Sequence, residues 1–259
     1  QCEGKAWAES QGFAYVPRGK RTIQDLMDEY GEDFLVYSSR GPQIDRPEGS
    51  HFFSLNMAEL RIQNLRKGQR DHLLEALMGV KEYDLRPAAA QPPSSVLDCT
   101  CGFGADAAVA SFGLPAGSRV DALEVSPLLE AVTAWGVSHF VHKKDVVTAA
   151  LRRISLRCGD YRDYLLSDDG PVYDVLYFDP MFQRPVEASC QFQPVRAIME
   201  HGGLTRDLIE RALQKARRRV VIKERDFRQL CRDFPDVALY GGKYSRIGYA
   251  VLECDSWKK

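Results

Sequence analysis

The chain has 259 residues, 44% of them hydrophobic and 27% charged, with a formal net charge of −1. This is the balance of a globular protein made of one large domain, or of one domain plus a smaller extension. Near-neutrality excludes a global field for nucleic acid, so an RNA or DNA substrate would have to be attracted by a local patch. No apolar run approaches the roughly 18 residues of a membrane span, and no charged-then-apolar leader is read before a small-residue cleavage site. A cytoplasmic protein without membrane association is therefore expected. The sequence starts at Gln1 rather than Met, which leaves room for residues before it.

In chain order, Glu3–Gly12 and Thr22–Tyr30 read as helices, Phe34–Tyr37 and His51–Phe53 as extended, and Asn56–Arg66 and Gln69–Met78 as helices. Residues 1–85 are thus expected to form a small α/β extension. Residues 86–95 (RPAAAQPPSS) hold three prolines and no apolar periodicity, the composition of a linker. From 96 to 259 short apolar runs alternate with helical patterns. Val96–Asp98, Arg119–Leu123, Ile154–Arg157, Val172–Phe178 and Arg219–Ile222 read as strands. Ala105–Phe112, Pro127–Val141, Tyr161–Leu166, Leu204–Ala216 and Phe227–Arg232 read as helices. Strands separated by helices imply right-handed crossovers and a parallel sheet covered on both faces. Two late strands, Val237–Tyr240 and Ile247–Glu253, flank a turn containing Gly241 and Gly242. They predict an antiparallel hairpin, a departure from a plain dinucleotide-binding fold.

The seven cysteines (Cys2, Cys99, Cys101, Cys158, Cys190, Cys231 and Cys254) form no C-x-x-C pair, so reduced thiols are expected, with Cys99-x-Cys101 read as small buried ones. His51, His72, His139, His142 and His201 show no metal spacing, and no metal is expected.

The segment Asp98-Cys-Thr-Cys-Gly-Phe-Gly-Ala-Asp106 follows the first long-region strand and opens a helix. Gly102 and Gly104 permit a tight turn and close backbone approach to a ligand. A dinucleotide fold wants a third glycine to cradle pyrophosphate; here Ala105 and Asp106 follow instead. Acidic flanks disfavour phosphate and favour a cofactor with an amino-acid ammonium group. The next strand ends in Glu124, 26 residues after Asp98, where a carboxylate can accept both hydroxyls of an adenosine ribose. Asp160, after the third strand, is placed to lie beside an adenine. Each carboxylate alone reads equally as a helix N-cap; the ordered set at successive strand ends is what points to a cofactor.

The strand VYDVLYF delivers Asp179-Pro180-Met181-Phe182. Methylating an exocyclic amine requires its lone pair to be freed and aimed in line with the methyl group. An Asp side chain and the following Pro carbonyl can both accept N–H bonds from the amine, and proline stiffens the turn. An aromatic residue three positions later can stack on a base, worth ~1–3 kcal/mol. Asp179, Pro180 and Phe182 are therefore the candidate catalytic residues, with Met181 and Arg184 beside the substrate.

These segments resemble the class I S-adenosylmethionine (SAM) methyltransferases, and more closely the J-type guanine-N2 methyltransferases of small-subunit ribosomal RNA and their bacterial relatives. The matching stretches are VLDCTCGFGADA (96–107), LEVSPLLEAVTAWGV (123–137), DVLYFDPMF (174–182) and RRVVIKE (218–224). The resemblance implies a seven-stranded Rossmann-like sheet whose last strand is antiparallel; the N-terminal region of the ribosomal enzymes differs from the small α/β extension read here. It implies SAM as cofactor, contacts around Asp98, Gly102, Gly104, Asp106, Glu124 and Asp160, and Asp179 at the reaction centre. Thr100, Val125 and Tyr161 stand in the same turns and are counted with the cofactor site. The chain departs from the ribosomal enzymes at Ala105, usually basic there, and at Gln183-Arg184, where they continue Pro-His.

Between Arg206 and Arg232 ten basic residues face four acidic ones, a patch able to hold phosphates or simply to be solvated. Lys223 and Arg225 follow the fifth strand at its carboxyl end, the side where such sheets bind ligands, and are the preferred phosphate contacts over Arg217-Arg218-Arg219. Arg61, Arg66, Lys67 and Arg70 form a second cluster, in position to cap the cofactor pocket or to be solvated. The expected activity is SAM-dependent methylation of an exocyclic amine on a nucleic-acid base, with ribosomal RNA guanine N2 as target. Methylation of a protein amide or small-molecule amine stays open, as does a non-catalytic RNA- or ribosome-binding module on the same fold.

Overall fold

The computed structural model describes residues 2–31, 34–46, 49–80, 92–180, 203–242 and 247–254. The apolar runs of the longer region become the strands of one seven-stranded sheet: β4 (Ser95–Asp98), β5 (Arg119–Glu124), β6 (Ile154–Cys158), β7 (Val175–Phe178), β8 (Arg219–Glu224), β9 (Ala238–Tyr240) and β10 (Gly248–Glu253). Their spatial order is β6-β5-β4-β7-β8-β10-β9. The first five run parallel, and β10 inserts antiparallel between β8 and β9. The sheet expected from the resemblance, last strand antiparallel, is present. All four residues of β7 are buried, which is why it reads as a continuous apolar run rather than an alternating one.

The crossovers are helical: α5 (Ala105–Gly113), α6 (Pro127–His139), α7 (Asp145–Leu151), α8 (Tyr161–Leu166), α9 (Arg206–Lys215) and α10 (Arg228–Asp233). Their starts follow capping chemistry. Ser126 caps α6, its hydroxyl accepting from Leu129 N–H, with Pro127 in the first turn where no donor is needed. Thr205 does the same for α9, and Asp160 for α8.

Alternation along the strands separates two cores. Val96, Val120, Ala122, Val175, Tyr177, Val221 and Tyr249 face α5, α6 and α7. Leu97, Leu123, Leu176, Phe178, Val220 and Ile222 face α8 and α9.

The residues before the sheet form α1 (Cys2–Ser10), α2 (Ile23–Tyr30), a three-stranded antiparallel sheet of β1 (Val36–Ser38), β2 (Gly41–Arg46) and β3 (Gly49–Phe52), and then α3 (Asn56–Arg66) and α4 (His72–Met78). Strand β2 packs on α6, α3 on α5, and α4 on both α5 and β10. Ile44, Phe53, Ile62 and Leu73 join the first of the two cores above. The extension therefore shares its apolar interior with the large sheet.

One contact holds the two together closely. A Cβ built on Gly136 of α6 would lie 1.9 Å from Phe53 Cγ, so the glycine forms the notch that seats this ring. Gly136→Ala is expected to destabilise the protein by ~1–3 kcal/mol through overpacking, read as a lower urea midpoint. Phe53→Ala should cost less in this background than in the wild type, because the two changes meet at one contact. An unchanged midpoint in Gly136→Ala would mean that Phe53 does not occupy the notch.

Candidate active site

The carboxyl ends of β4, β5, β6, β7 and β8 lie on one edge of the sheet, and each delivers a charged residue there. Asp98 ends β4, 2% exposed, and its carboxylate accepts Thr100 N–H at 3.1 Å. Burial pushes its protonation upward, and the neighbouring Asp106 adds to this. The loop that follows is tied to both flanking strands: Cys99 N–H donates to Tyr177 O at 2.8 Å and Cys101 N–H to Leu123 O at 2.9 Å. Gly102 and Gly104 adopt φ of 54° and 73°, values that L side chains rarely take. A Cβ on Gly102 would find only Thr100 O, 4.0 Å away, so the loop opens on that side into free space.

Glu124 ends β5 and is 7% exposed. Its two oxygens accept Gly102 N–H at 2.8 Å and Ser126 N–H at 2.9 Å. Burial raises its pKa, and these N–H groups oppose the rise. Val125 follows it, half-buried. Asp160 caps α8 beyond β6 and pairs with Arg162 at 2.7 Å. Tyr161 is buried with its ring edge-on to Phe178, centroids 5.4 Å apart.

Asp179 follows β7. Its backbone N–H donates to Thr100 Oγ1 at 2.7 Å, so the glycine loop holds the turn directly. Lys223, on β8, stands between two carboxylates, with Nζ 2.7 Å from Asp179 Oδ2 and 2.8 Å from Asp106 Oδ2. Strand register explains the first pairing. Phe178 lies opposite Ile222 in the parallel ladder, so the next residues, Asp179 and Lys223, fall side by side. Asp106 Oδ2 also accepts from Tyr177 OH at 2.7 Å, and its Oδ1 from Arg61. Arg61 reaches in from α3 and grips Asp71, the N-cap of α4, with two bonds of 2.7 and 2.8 Å. His51 of β3 stacks on Phe103 of the glycine loop at 4.3 Å, and burial lowers its pKa to about 4, so it is neutral at pH 7.

The electrostatics follow from this chain of partners. Burial would raise Asp106, but Lys223 and Arg61 hold it below the ordinary carboxylate range. Burial raises Asp179 to about 6, with Lys223 opposing and Asp106 and Glu224 reinforcing the rise. Burial would lower the Lys223 ammonium, but the two aspartates more than offset that, and it stays charged.

Residues 58–247 match the family described as "Putative SAM-dependent methyltransferase". The chain belongs to this family. It is 29% identical over 221 residues to YpiP of Bacillus subtilis, a match covering 85% of this chain and 82% of that one. It is 31% identical over 158 residues to a protein of Thioalkalivibrio sulfidiphilus named ribosomal RNA small subunit methyltransferase J, covering 60% of this chain and 57% of that one. Among solved structures, the SAM-dependent methyltransferase NGO1261 of Neisseria gonorrhoeae is similar with a TM-score of 0.63 at 18% identity, over 98% of this chain and 92% of that one. At that identity the likeness speaks for the fold.

The cofactor of the methyltransferase is SAM, and the residues present fit it. Asp98 is a nearly buried carboxylate with, among the described residues, a single hydrogen bond to its side chain, suited to an ammonium group. The loop beside it leaves the space where a Gly102 Cβ would stand. Glu124, at the next strand end, keeps lone pairs for hydroxyl donors. Among the described residues, no group of three or more His, Cys, Asp or Glu is placed to hold a metal ion, and no helix is long and apolar enough to cross a membrane. Cys99, Cys101, Cys158, Cys231 and Cys254 are free thiols.

The structure therefore brings Asp98, Thr100, Gly102, Gly104, Asp106, Asp179 and Lys223 of the methyltransferase into one connected cluster, with Glu124 joined through Gly102. Pro180 is the last described residue of the turn after β7; Met181, Phe182 and Arg184 lie outside the described residues. Arg225 is exposed at the same edge. Arg218 and Arg219 enter β8 at the opposite edge and pair with Asp174 and Glu253. The sequence reading did not find Tyr177, and left Arg61 as one of a loose basic cluster.

Proposed function

We propose that the methyltransferase transfers the methyl group of SAM to an exocyclic amine of an RNA base, with guanine N2 of ribosomal RNA as the target. The observation that carries this reading is the division of labour on Asp179. Its Oδ2 is held by Lys223, while Oδ1 has no hydrogen-bond partner among the described residues. A fixed, half-engaged carboxylate at the open edge of the sheet is suited to accept one N–H of an incoming amine and to aim its lone pair. The relative named for ribosomal RNA methylation supports the choice of acceptor.

In this reading Asp98 accepts the ammonium of the cofactor, Glu124 its ribose hydroxyls, and Asp160 borders the adenine. Thr100, Gly102, Gly104, Asp106, Val125 and Tyr161 shape the same pocket. Bound SAM supplies a methyl group on a positively charged sulfur that leaves as a neutral thioether. Asp179 and the Pro180 carbonyl orient the amine. Asp179 then receives, or relays to water, the proton that the nitrogen sheds after gaining its methyl group. Phe182 stacks on the base, and Met181, Arg184 and the exposed Arg225 contact the substrate strand.

The test is methyl transfer from labelled SAM to total RNA and to total protein, each prepared from cells lacking the protein. Label in RNA that digests to N2-methylguanosine is expected. Label confined to protein would overturn the RNA reading in favour of a side-chain amide or amine. Failure to bind SAM at near-millimolar concentration by calorimetry would leave only a non-catalytic binding module.

A further inference from the structure

Five side chains form a ladder of alternating charge from the extension to the catalytic turn: Asp71, Arg61, Asp106, Lys223 and Asp179. Neighbouring rungs are in direct contact, from the Arg61–Asp71 pair at 2.7 Å to the Lys223–Asp179 pair at 2.7 Å. The Lys223 side chain is 16% exposed and that of Asp106 9%. Tyr177 OH fixes Asp106 from the sheet side, and Tyr249 lies directly across the ladder from Lys223 in β10. A lysine placed this way is ill suited to phosphate. Two carboxylates already share its charge, and a phosphate would have to displace the catalytic carboxylate to reach it.

We propose that Lys223 is the positioning residue of the catalytic turn, and that Arg61, by clamping Asp106, sets Lys223 in place. This rests on the reading of Asp179 as the amine's acceptor. Lys223 pins Oδ2 and so fixes the direction of Oδ1, and its charge favours the ionised carboxylate that burial disfavours. Arg61 satisfies the far oxygen of Asp106, which would otherwise draw Lys223 away from Asp179. The extension is thereby part of the methyl-transfer site, since one of the ladder's two cations comes from α3 and is oriented by the N-cap of α4.

The experiment measures single-turnover methyl transfer from labelled SAM against pH, on whichever fraction, total RNA or total protein, the wild type labels. Thermal melting and calorimetric SAM affinity are recorded alongside for each variant. Among the described residues, the charged and titratable groups facing Asp179 are Lys223 and Glu224 of β8, Asp106 of α5, Asp98 of β4 and Tyr177 of β7. The wild-type rate should rise with pH through a midpoint near 6, where Asp179 ionises. In Lys223→Met the plateau should fall about a hundredfold. Its midpoint should move up by about 1–3 units, the usual effect of removing an opposite charge in contact. SAM affinity should stay within a few-fold. Lys223→Arg should restore the midpoint and most of the rate. Arg61→Gln should shift the midpoint in the same direction with about a tenfold loss, and it decides the matter if Lys223→Met does not fold.

A Lys223→Met enzyme with an unchanged plateau and midpoint, but a raised KM for its acceptor and a weaker salt dependence, would overturn the proposal and make Lys223 a phosphate contact. Asp179→Ala distinguishes the two levels. If that variant keeps the wild-type rate, the reading of Asp179 fails. If it is inactive while Lys223→Met behaves as wild type, only the present inference fails.

Discussion

Asp179→Ala is expected to abolish methyl transfer, lowering the single-turnover rate by at least ~10²–10³-fold, the usual loss when an active-site hydrogen-bonding group is removed. Its affinity for SAM should remain within a few-fold. On the proposed role of Asp179 the rate falls because the amine loses the acceptor that orients its lone pair, whereas Asp98 and Glu124, the proposed cofactor contacts, have no direct bond to the Asp179 side chain. The turn itself should survive, since Thr100 Oγ1 accepts the backbone N–H of residue 179 rather than its side chain. Lys223 keeps Asp106 as a partner at 2.8 Å, so the buried ammonium is not orphaned. Asp179→Asn is the informative companion. It retains one acceptor oxygen but presents an NH2 donor toward Lys223 or the substrate, so it should fall between alanine and wild type. Calorimetric titration with SAM and single-turnover transfer, run on the same preparation, separate binding from chemistry. Loss of SAM binding in Asp179→Ala would show that this turn belongs to the cofactor site.

The site was legible in the sequence where it follows strand periodicity and hidden where it depends on tertiary neighbours. Asp98, Glu124, Asp160 and Asp179 could be placed because each closes a recognisable apolar strand or follows one closely, and a parallel sheet puts such ends on one edge. Arg61 could not. On α3 it differs from the exposed Arg66 and Lys67 only in facing inward, and its partners lie ten and forty-five residues away. The pairing of Lys223 with Asp179 needed the β7–β8 register, which no local pattern specifies. Strand β2 was missed because GPQIDR has a glycine, a proline and two charged residues among six. Its extended form is enforced by packing, with Ile44 fully buried and Asp45 and Arg46 each 7% exposed. Helix α7 went unread: it is only seven residues long, although its buried Val147, Ala150 and Leu151 stand at helical spacing.

Asp106→Ala is expected to cost the most stability of any substitution in the site, about 3–5 kcal/mol, the range for removing one partner of a buried ion pair. Asp106 meets Arg61, Lys223 and Tyr177 at once, so its loss leaves Arg61 and Lys223 with one carboxylate partner each, Asp71 and Asp179, and strips Tyr177 OH of its acceptor. Against a total stability of ~5–15 kcal/mol, the variant should still fold, with a lower urea midpoint and an unchanged slope. The sign of the pH dependence follows from the depressed pKa of Asp106 in the folded state. Its stabilisation is fully present above the unfolded value of ~3.9 and is lost as pH falls through the lower folded value. The gap between wild type and Asp106→Ala should therefore be widest near neutrality and narrow in acid. Asp179 moves the other way. Removing the Asp106 charge deletes a like-charge neighbour and leaves Lys223 to Asp179 alone, so the midpoint of the pH–rate profile should drop below its wild-type value of about 6. This is opposite in direction to the shift expected for Lys223→Met, although both changes delete a rung of the same ladder. A melting curve unchanged by Asp106→Ala, or a midpoint that rises in both variants, would show that the two aspartates do not compete for Lys223.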